Sequence, residues 1–180
     1  MPSRQMVITA MLIALTAVGA WIRIPFTVIP VTLQTLFTYM TGAILDKRQA
    51  FRCQGIYLLL GLLGAPVFAN GGGIGYLAQP TFGYLLALPF AAAIIAMMKS
   101  KMHRVTWLRM IPVISAGAIC VLVVGAVWLS FYFMLVWKKS ISLQLLCWHG
   151  FVWLLPGEGV KIITASLLSY YLNNMAKEKS

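Results

Sequence analysis

The chain has 180 residues, 61% of them hydrophobic and 9% charged, with 14 Lys and Arg against 3 Asp and Glu. A mean hydropathy of +0.90 excludes an ordinary soluble domain and fits one compact membrane bundle over residues 1–180, with no room for a separate soluble domain. The net charge of +11 does not point to nucleic acid, because the basic residues fall in short clusters between apolar runs, as in the cytoplasmic loops of membrane proteins.

The first apolar run, Met6 to Ile22, is just long enough to cross a bilayer, which takes roughly 20 residues of helix. No small-residue cleavage site followed by a polar chain comes after it, so it is expected to be retained as a span. Ala10 and Ala14 put two small side chains on one face, where another helix can approach closely. Arg23 to Pro30 then breaks the helix, since Pro25 and Pro30 each lack an N–H and bias the preceding residue toward an extended shape. A re-entrant or interfacial connection is predicted there.

A short second span is predicted from Val31 to Leu45. Thr32, Thr35, Thr38 and Thr41 recur every third residue, which keeps their hydroxyls near one face, for backbone carbonyls, another helix or a ligand. Backbone bonding is the expected role for most of them. Asp46, Lys47, Arg48 and Arg52 make a basic loop, and a third span follows from Gln54 to Phe68. Gly55, Gly61 and Gly64 favour close helix contacts within it, and Pro66 is expected to stop it.

Asn70 to Pro80 is the longest irregular segment, and its glycines lack the following Lys-Ser or Lys-Thr of a phosphate loop. Hinge-like glycines suit an extracytoplasmic lid, and a plain connector is the alternative. The fourth span is expected from Thr81 to Met98, with Tyr84 near its start as an interfacial anchor or a ligand contact. Lys99, Lys101, His103, Arg104 and Arg109 form the strongest basic cluster. The apolar run Met110 to Trp137 is longer than one span needs, so it must tilt or protrude. Cys53, Cys120 and Cys147 are odd in number and set among apolar neighbours, which suits neither a disulfide framework nor a metal site. His103 and His149 lie at span ends without a second ligand at metal spacing, so no zinc site is expected.

The last span, Phe151 to Leu172, contains Glu158 and Lys161, the one acid and the one Lys or Arg well inside an apolar run. An ionisable side chain at membrane depth costs a few kcal/mol on insertion scales and marks a cavity or a partner. If Pro156 and Gly157 open a helix, Glu158 and Lys161 share its inner face, neutralise each other and offer both acceptor and donor to a polar ligand. A purely structural ion pair is the alternative. Six transmembrane helices in one all-α bundle result. Placing the N-terminus inside puts Arg4, Lys47, Arg48, Arg52, Lys99, Lys101, Arg104, Arg109, Lys177 and Lys179 against Arg23, Lys138 and Lys139 outside. That imbalance favours cytoplasmic N and C termini.

Several stretches resemble the BioY family, the biotin-specific S components of energy-coupling-factor vitamin transporters. They are Pro25-Phe26 with Ile29 to Leu36, Tyr57 to Phe68, Gly71-Gly72-Gly73, Pro80-Thr81, Gly83 to Leu86, Trp128-Leu129, and Leu155 to Glu158 with Lys161. The resemblance implies a six-helix protein of the cell membrane that captures biotin from outside and docks on a transmembrane coupling subunit carrying two ATPases. It carries the family's acid-and-lysine pair onto Glu158 and Lys161, and its small-residue docking motif onto Ala10 and Ala14. Gln34, Asn70, Gln79 and Tyr84 are candidate polar neighbours of the ligand, and Tyr76 is a candidate aromatic cover. No cofactor is expected beyond biotin as the transported ligand. Glu158 departs from the Asp usual after Pro-Gly, shifting the carboxylate by about one bond length, ~1.5 Å. Gln79 and Phe82 depart from a Gly-Pro-Thr-Gly-Gly-Tyr pattern, which bears on loop geometry. The other classes weighed are a carrier of a different vitamin, an intramembrane enzyme and a structural subunit. The enzyme would need a nucleophile with a base, or paired acids and histidines, at membrane depth.

Overall fold

A computed structural model describes residues 3–24, 30–136, 148 and 152–178. The expectations for Pro25, Phe26, Ile29, Lys138, Lys139, Cys147 and His149 fall outside these residues. The fold is mostly helical. Helix α1 covers Ser3–Trp21, and the chain then forms a two-stranded antiparallel ladder in which Arg23 pairs with Thr32 and Ile24 with Val31. This ladder flanks the segment for which a re-entrant or interfacial connection was expected. Leu33 N–H donates to Ile22 O, so the ladder leads directly into α2, Gln34–Ile44. At 11 residues α2 is about 16 Å long, too short to cross a bilayer alone. The predicted second span is therefore corrected to an extended strand followed by a half-length helix.

Helix α3, Lys47–Leu62, starts well before the predicted Gln54 because Asp46 caps it, its carboxylate accepting the Gln49 N–H at 2.9 Å. Lys47, Arg48 and Arg52 thus sit in its first turns and not in a loop. Its end comes before Pro66 as well. Gly64 takes φ +107°, its N–H donates to Gly61 O, and Ala65 N–H reaches back to Leu60 O. These are the two bonds of a Schellman terminus, which needs the left-handed residue that glycine supplies. Gly55, expected to mediate a close contact, faces open space.

The glycine-rich segment is folded down on the bundle. Phe68 and Gly71 exchange backbone bonds at 2.9 and 3.1 Å, and Gly73 N–H donates to Gly61 O at 2.7 Å. A 3-10 turn, Ile74–Ala78, then places Tyr76 against Phe68 with ring centres 4.7 Å apart, and Phe68 meets Tyr57 at 5.6 Å.

The expected fourth span is two segments, α4 (Phe82–Leu86) and α5 (Leu88–Ser100), meeting at Ala87. The break follows from Pro89, which has no N–H to return to Leu85. Helix α6, Trp107–Val136, has 30 residues and about 45 Å of length, in keeping with the excess over one span read from the sequence. A second 3-10 turn, Val152–Leu154, leads into α7, Leu155–Glu178. Among the described residues three helical stretches, Arg4–Trp21, Phe82–Ser100 and Trp107–Leu135, are long and apolar enough to cross a membrane.

Helix α5 packs against α2, α3 and α6, while α7 packs against α2 and α6. Helices α4 and α6 interlock through glycine, since a Cβ on Gly83 would lie 2.1 Å from Trp128 Cβ and one on Gly125 would lie 2.3 Å from the Tyr84 ring. Inside the bundle Gln54 Nε2 donates to Thr41 Oγ1 at 3.0 Å and Thr16 Oγ1 at 3.3 Å, and its Oε1 accepts from Thr38. The hydroxyls of Thr38 and Thr41 also stand 3.2 and 2.8 Å from the carbonyls one turn back, Gln34 O and Phe37 O. The Thr35 hydroxyl does something else.

Candidate functional site

Pro156 is the second residue of α7, where its missing N–H costs no helical bond, and Glu158 follows in the first turn, where unpaired N–H groups favour an anion. Lys161 lies one turn on. Its ammonium donates to Glu158 Oε1, forming an ion pair, to Thr35 Oγ1 at 2.5 Å, and to the Thr32 carbonyl at 3.2 Å. The Thr35 hydroxyl lies 3.1 Å from Glu158 Oε1, and the Tyr39 hydroxyl donates to Glu158 Oε2. Glu158 is 6% exposed and Lys161 5%. Neutral as a pair and hydrogen-bonded on both sides, they meet the condition under which charges are tolerated in a low-dielectric interior.

Why α2 and α7 meet here follows from the chain's local shape. The β1–β2 ladder delivers Gln34 and Thr35 at the start of α2, and the short α2 begins level with the first turns of α7. A pocket opens beside them with about 630 Å³ of unoccupied space, part of it continuous with the outside. Leu85, Leu88, Val121 and Leu122 give it apolar walls, and Gln34, Thr35, Glu158 and Lys161 give it a polar side. Gln34 is 5% exposed, and its Nε2 has no hydrogen-bond partner. A buried amide without a partner costs about 1–3 kcal/mol, so a donor is held ready for an acceptor.

Of the residues expected at a ligand, Glu158, Lys161, Gln34 and Tyr84 line the pocket, as does Tyr76. Burial pushes the Tyr76 phenol above its ordinary range, so it stays a neutral hydroxyl. Asn70 and Gln79 are exposed and do not line it: the Asn70 side chain accepts from Arg23, and Gln79 offers its carbonyl to Trp128 Nε1 at 3.1 Å. Ala10 and Ala14 lie on the exposed face of α1. Tyr39 is absent from the expected set, although its place one turn beyond Thr35 on α2 is the spacing that could have found it. The Thr32 carbonyl was not foreseeable, because it depends on the strand pairing. Among the described residues no group of His, Cys, Asp and Glu could hold a metal ion.

A helical bundle with apolar helices of membrane length, and an acid–lysine pair buried beside a pocket with apolar walls, defines the class: a helical membrane protein with a candidate site for a polar ligand. The particular kind is given by comparison. The model of the BioY family matches residues 1–178, and the chain belongs to that family. It is 33% identical over 177 residues to the "Biotin transporter BioY" of Thermotoga maritima, covering 98% of this chain and 99% of that one. A match to the "Probable biotin transporter BioY" of Lysinibacillus sphaericus reaches 46% over 102 residues, which is 57% of this chain and about half, 52%, of the relative. The structure is similar to that of an S-component for biotin from an ECF-type ABC transporter, with TM-score 0.83 and 26% identity over 95% of this chain and 91% of the other.

Proposed function

We propose that this chain is the biotin-binding membrane subunit of an energy-coupling-factor uptake system, acting as a transport component and not as an enzyme. The observation that carries the reading is the Glu158–Lys161 pair, buried against Thr35 and Tyr39 on the polar side of an otherwise apolar pocket.

Biotin has two ureido N–H donors, one ureido carbonyl, an apolar bicycle and a carboxylate-tipped chain. Glu158 accepts the ureido N–H bonds and the unpartnered Gln34 amide donates to the ureido carbonyl, while Lys161, whose three N–H groups serve Glu158, Thr35 and the Thr32 carbonyl, holds the Glu158 carboxylate in place. The bicycle lies against Leu88 and Leu122. Apolar walls with few fixed polar groups orient a ligand in this way. Tyr84 and Tyr76 border the same space, and the folded segment carrying Tyr76 is the part of the pocket wall suited to opening for entry.

Arg4, Lys47, Arg48, Arg52, Lys99, Lys101, Arg104, Arg109 and Lys177 lie at the helix ends opposite the pocket, which supports cytoplasmic termini and an outward-facing site in the cell membrane. The whole chain acts as one binding domain. Energy comes from partners, a membrane coupling subunit with two ATPases, with Ala10 and Ala14 on the exposed α1 face as the docking surface.

The test is equilibrium binding of biotin to the purified protein in detergent, beside Glu158→Gln and Lys161→Ala. Tight binding by the wild type, lost in folded variants, is expected. A folded wild type that ignores biotin and binds another vitamin would overturn the substrate assignment.

A further inference from the structure

The end of the bundle opposite the pocket holds a second cavity that the uptake reading does not use. It lies between the start of α6 and the last turns of α7, bounded by Arg104, Thr106, Trp107, Leu108, Arg109 and Tyr170, with about 840 Å³ of unoccupied space open to the outside. Arg104 and Arg109 are both exposed, and the one salt bridge among the described residues is that of Lys161 with Glu158 at the other end. Two guanidinium groups therefore border one cavity, and no carboxylate is among the described residues that line it.

The rest of the rim is apolar or amphipathic. Trp107 is 39% exposed and Leu108 60%, and next to Tyr170 the outer face of α7 exposes Leu167, Leu168 and Tyr171. A soluble anion gains nothing from such a border, whereas a lipid uses both parts.

We infer that this cavity binds the phosphate of an anionic phospholipid. Arg104 and Arg109 grip the phosphate oxygens, a geometry their planar forks match bidentately. The Thr106 and Tyr170 hydroxyls border the same space, Trp107 sits at headgroup level, and the acyl chains run over Leu108 and the exposed face of α7. The site lies at the end of the molecule that carries most of the basic residues.

The experiment is native mass spectrometry of the full chain titrated with phosphatidylglycerol, with phosphatidylcholine of the same acyl chains, and with inorganic phosphate. The wild type is set beside Arg104→Gln/Arg109→Gln and a charge-matched control, Lys47→Gln/Arg48→Gln. Two arginines at the surface are worth about thirtyfold in affinity for an anionic lipid, so that loss is expected in the first variant and not in the control. Biotin binding, read in parallel, stays unchanged in both and certifies the fold. Equal binding of the two lipids, an equal loss in both charge variants, or inorganic phosphate binding as tightly as the lipid would each overturn the proposal. So would loss of coupling-subunit association in the first variant with lipid binding intact, which would assign the face to a protein partner.

Discussion

Tyr39 and Glu158, 119 positions apart, are joined through the Tyr39 hydroxyl, which donates to the carboxylate oxygen that the Lys161 ammonium does not hold. One carboxylate is thereby fixed from both sides, by α2 and by its own helix. Tyr39→Phe keeps the ring and removes the anchor. A hydrogen bond to a charged group contributes about 1.5–3 kcal/mol, so biotin affinity should fall roughly tenfold or more, measured by equilibrium binding. Unchanged affinity would show that Lys161 and Thr35 orient Glu158 without help.

Breaking the ion pair from one side should be worse for stability than removing it whole. Lys161→Met leaves a buried carboxylate uncompensated, at about 3–5 kcal/mol, whereas Glu158→Gln/Lys161→Met leaves none. The double variant should melt at a higher temperature than Lys161→Met, and neither should bind biotin. A double variant that melts lowest would mean the pair holds the helices together.

Gln34→Leu separates stability from binding. The amide nitrogen is buried without a partner, so its removal should leave the ligand-free melting temperature unchanged or raised. Biotin affinity should drop about tenfold, the worth of one net hydrogen bond. A lowered melting temperature with intact binding would move Gln34 from the ligand to the scaffold.

Two glycines predict opposite outcomes. An added Cβ at Gly83 meets Trp128 Cβ at 2.1 Å and the Val124 carbonyl at 3.1 Å, so Gly83→Ala must part α4 from α6, at about 1–3 kcal/mol. Gly55 is mid-helix with nothing within 4 Å, and Gly55→Ala should stabilise by about 0.5–1 kcal/mol. Thermal unfolding in detergent compares them directly.

Ala14→Trp enlarges an exposed position on α1 that does not line the pocket. Biotin binding should be unchanged, while co-purification with the coupling subunit should fall at least tenfold if close helix approach drives docking. Equal loss of both activities would show that the substitution disturbs the bundle itself.

Much of the site was legible in the sequence because charge in an apolar run is costly wherever the run goes. Glu158 and Lys161 stand out on that ground alone, and Pro156 with Gly157 sets the helix start that puts them on one face. Tyr39 carried no such mark. A tyrosine in an apolar helix reads as core until the element it faces is known, and that element comes from the far end of the chain. Asn70 and Gln79 show the converse: polar residues in a glycine-rich loop looked available to a ligand, but the fold gives the Asn70 side chain to Arg23 and leaves Gln79 exposed, away from the pocket.

By itself, then, the sequence determined a membrane-embedded helical bundle, its basic end and the acid–lysine pair, since these follow from hydropathy, charge distribution and helical spacing. Where α2 begins, how α3 ends, where the fourth span breaks and which donors surround Glu158 were decided by tertiary structure. Strand pairing at Thr32, the Gly64 turn and the packing of α2 on α7 join residues from separate parts of the chain, and local preference does not encode which partners will meet.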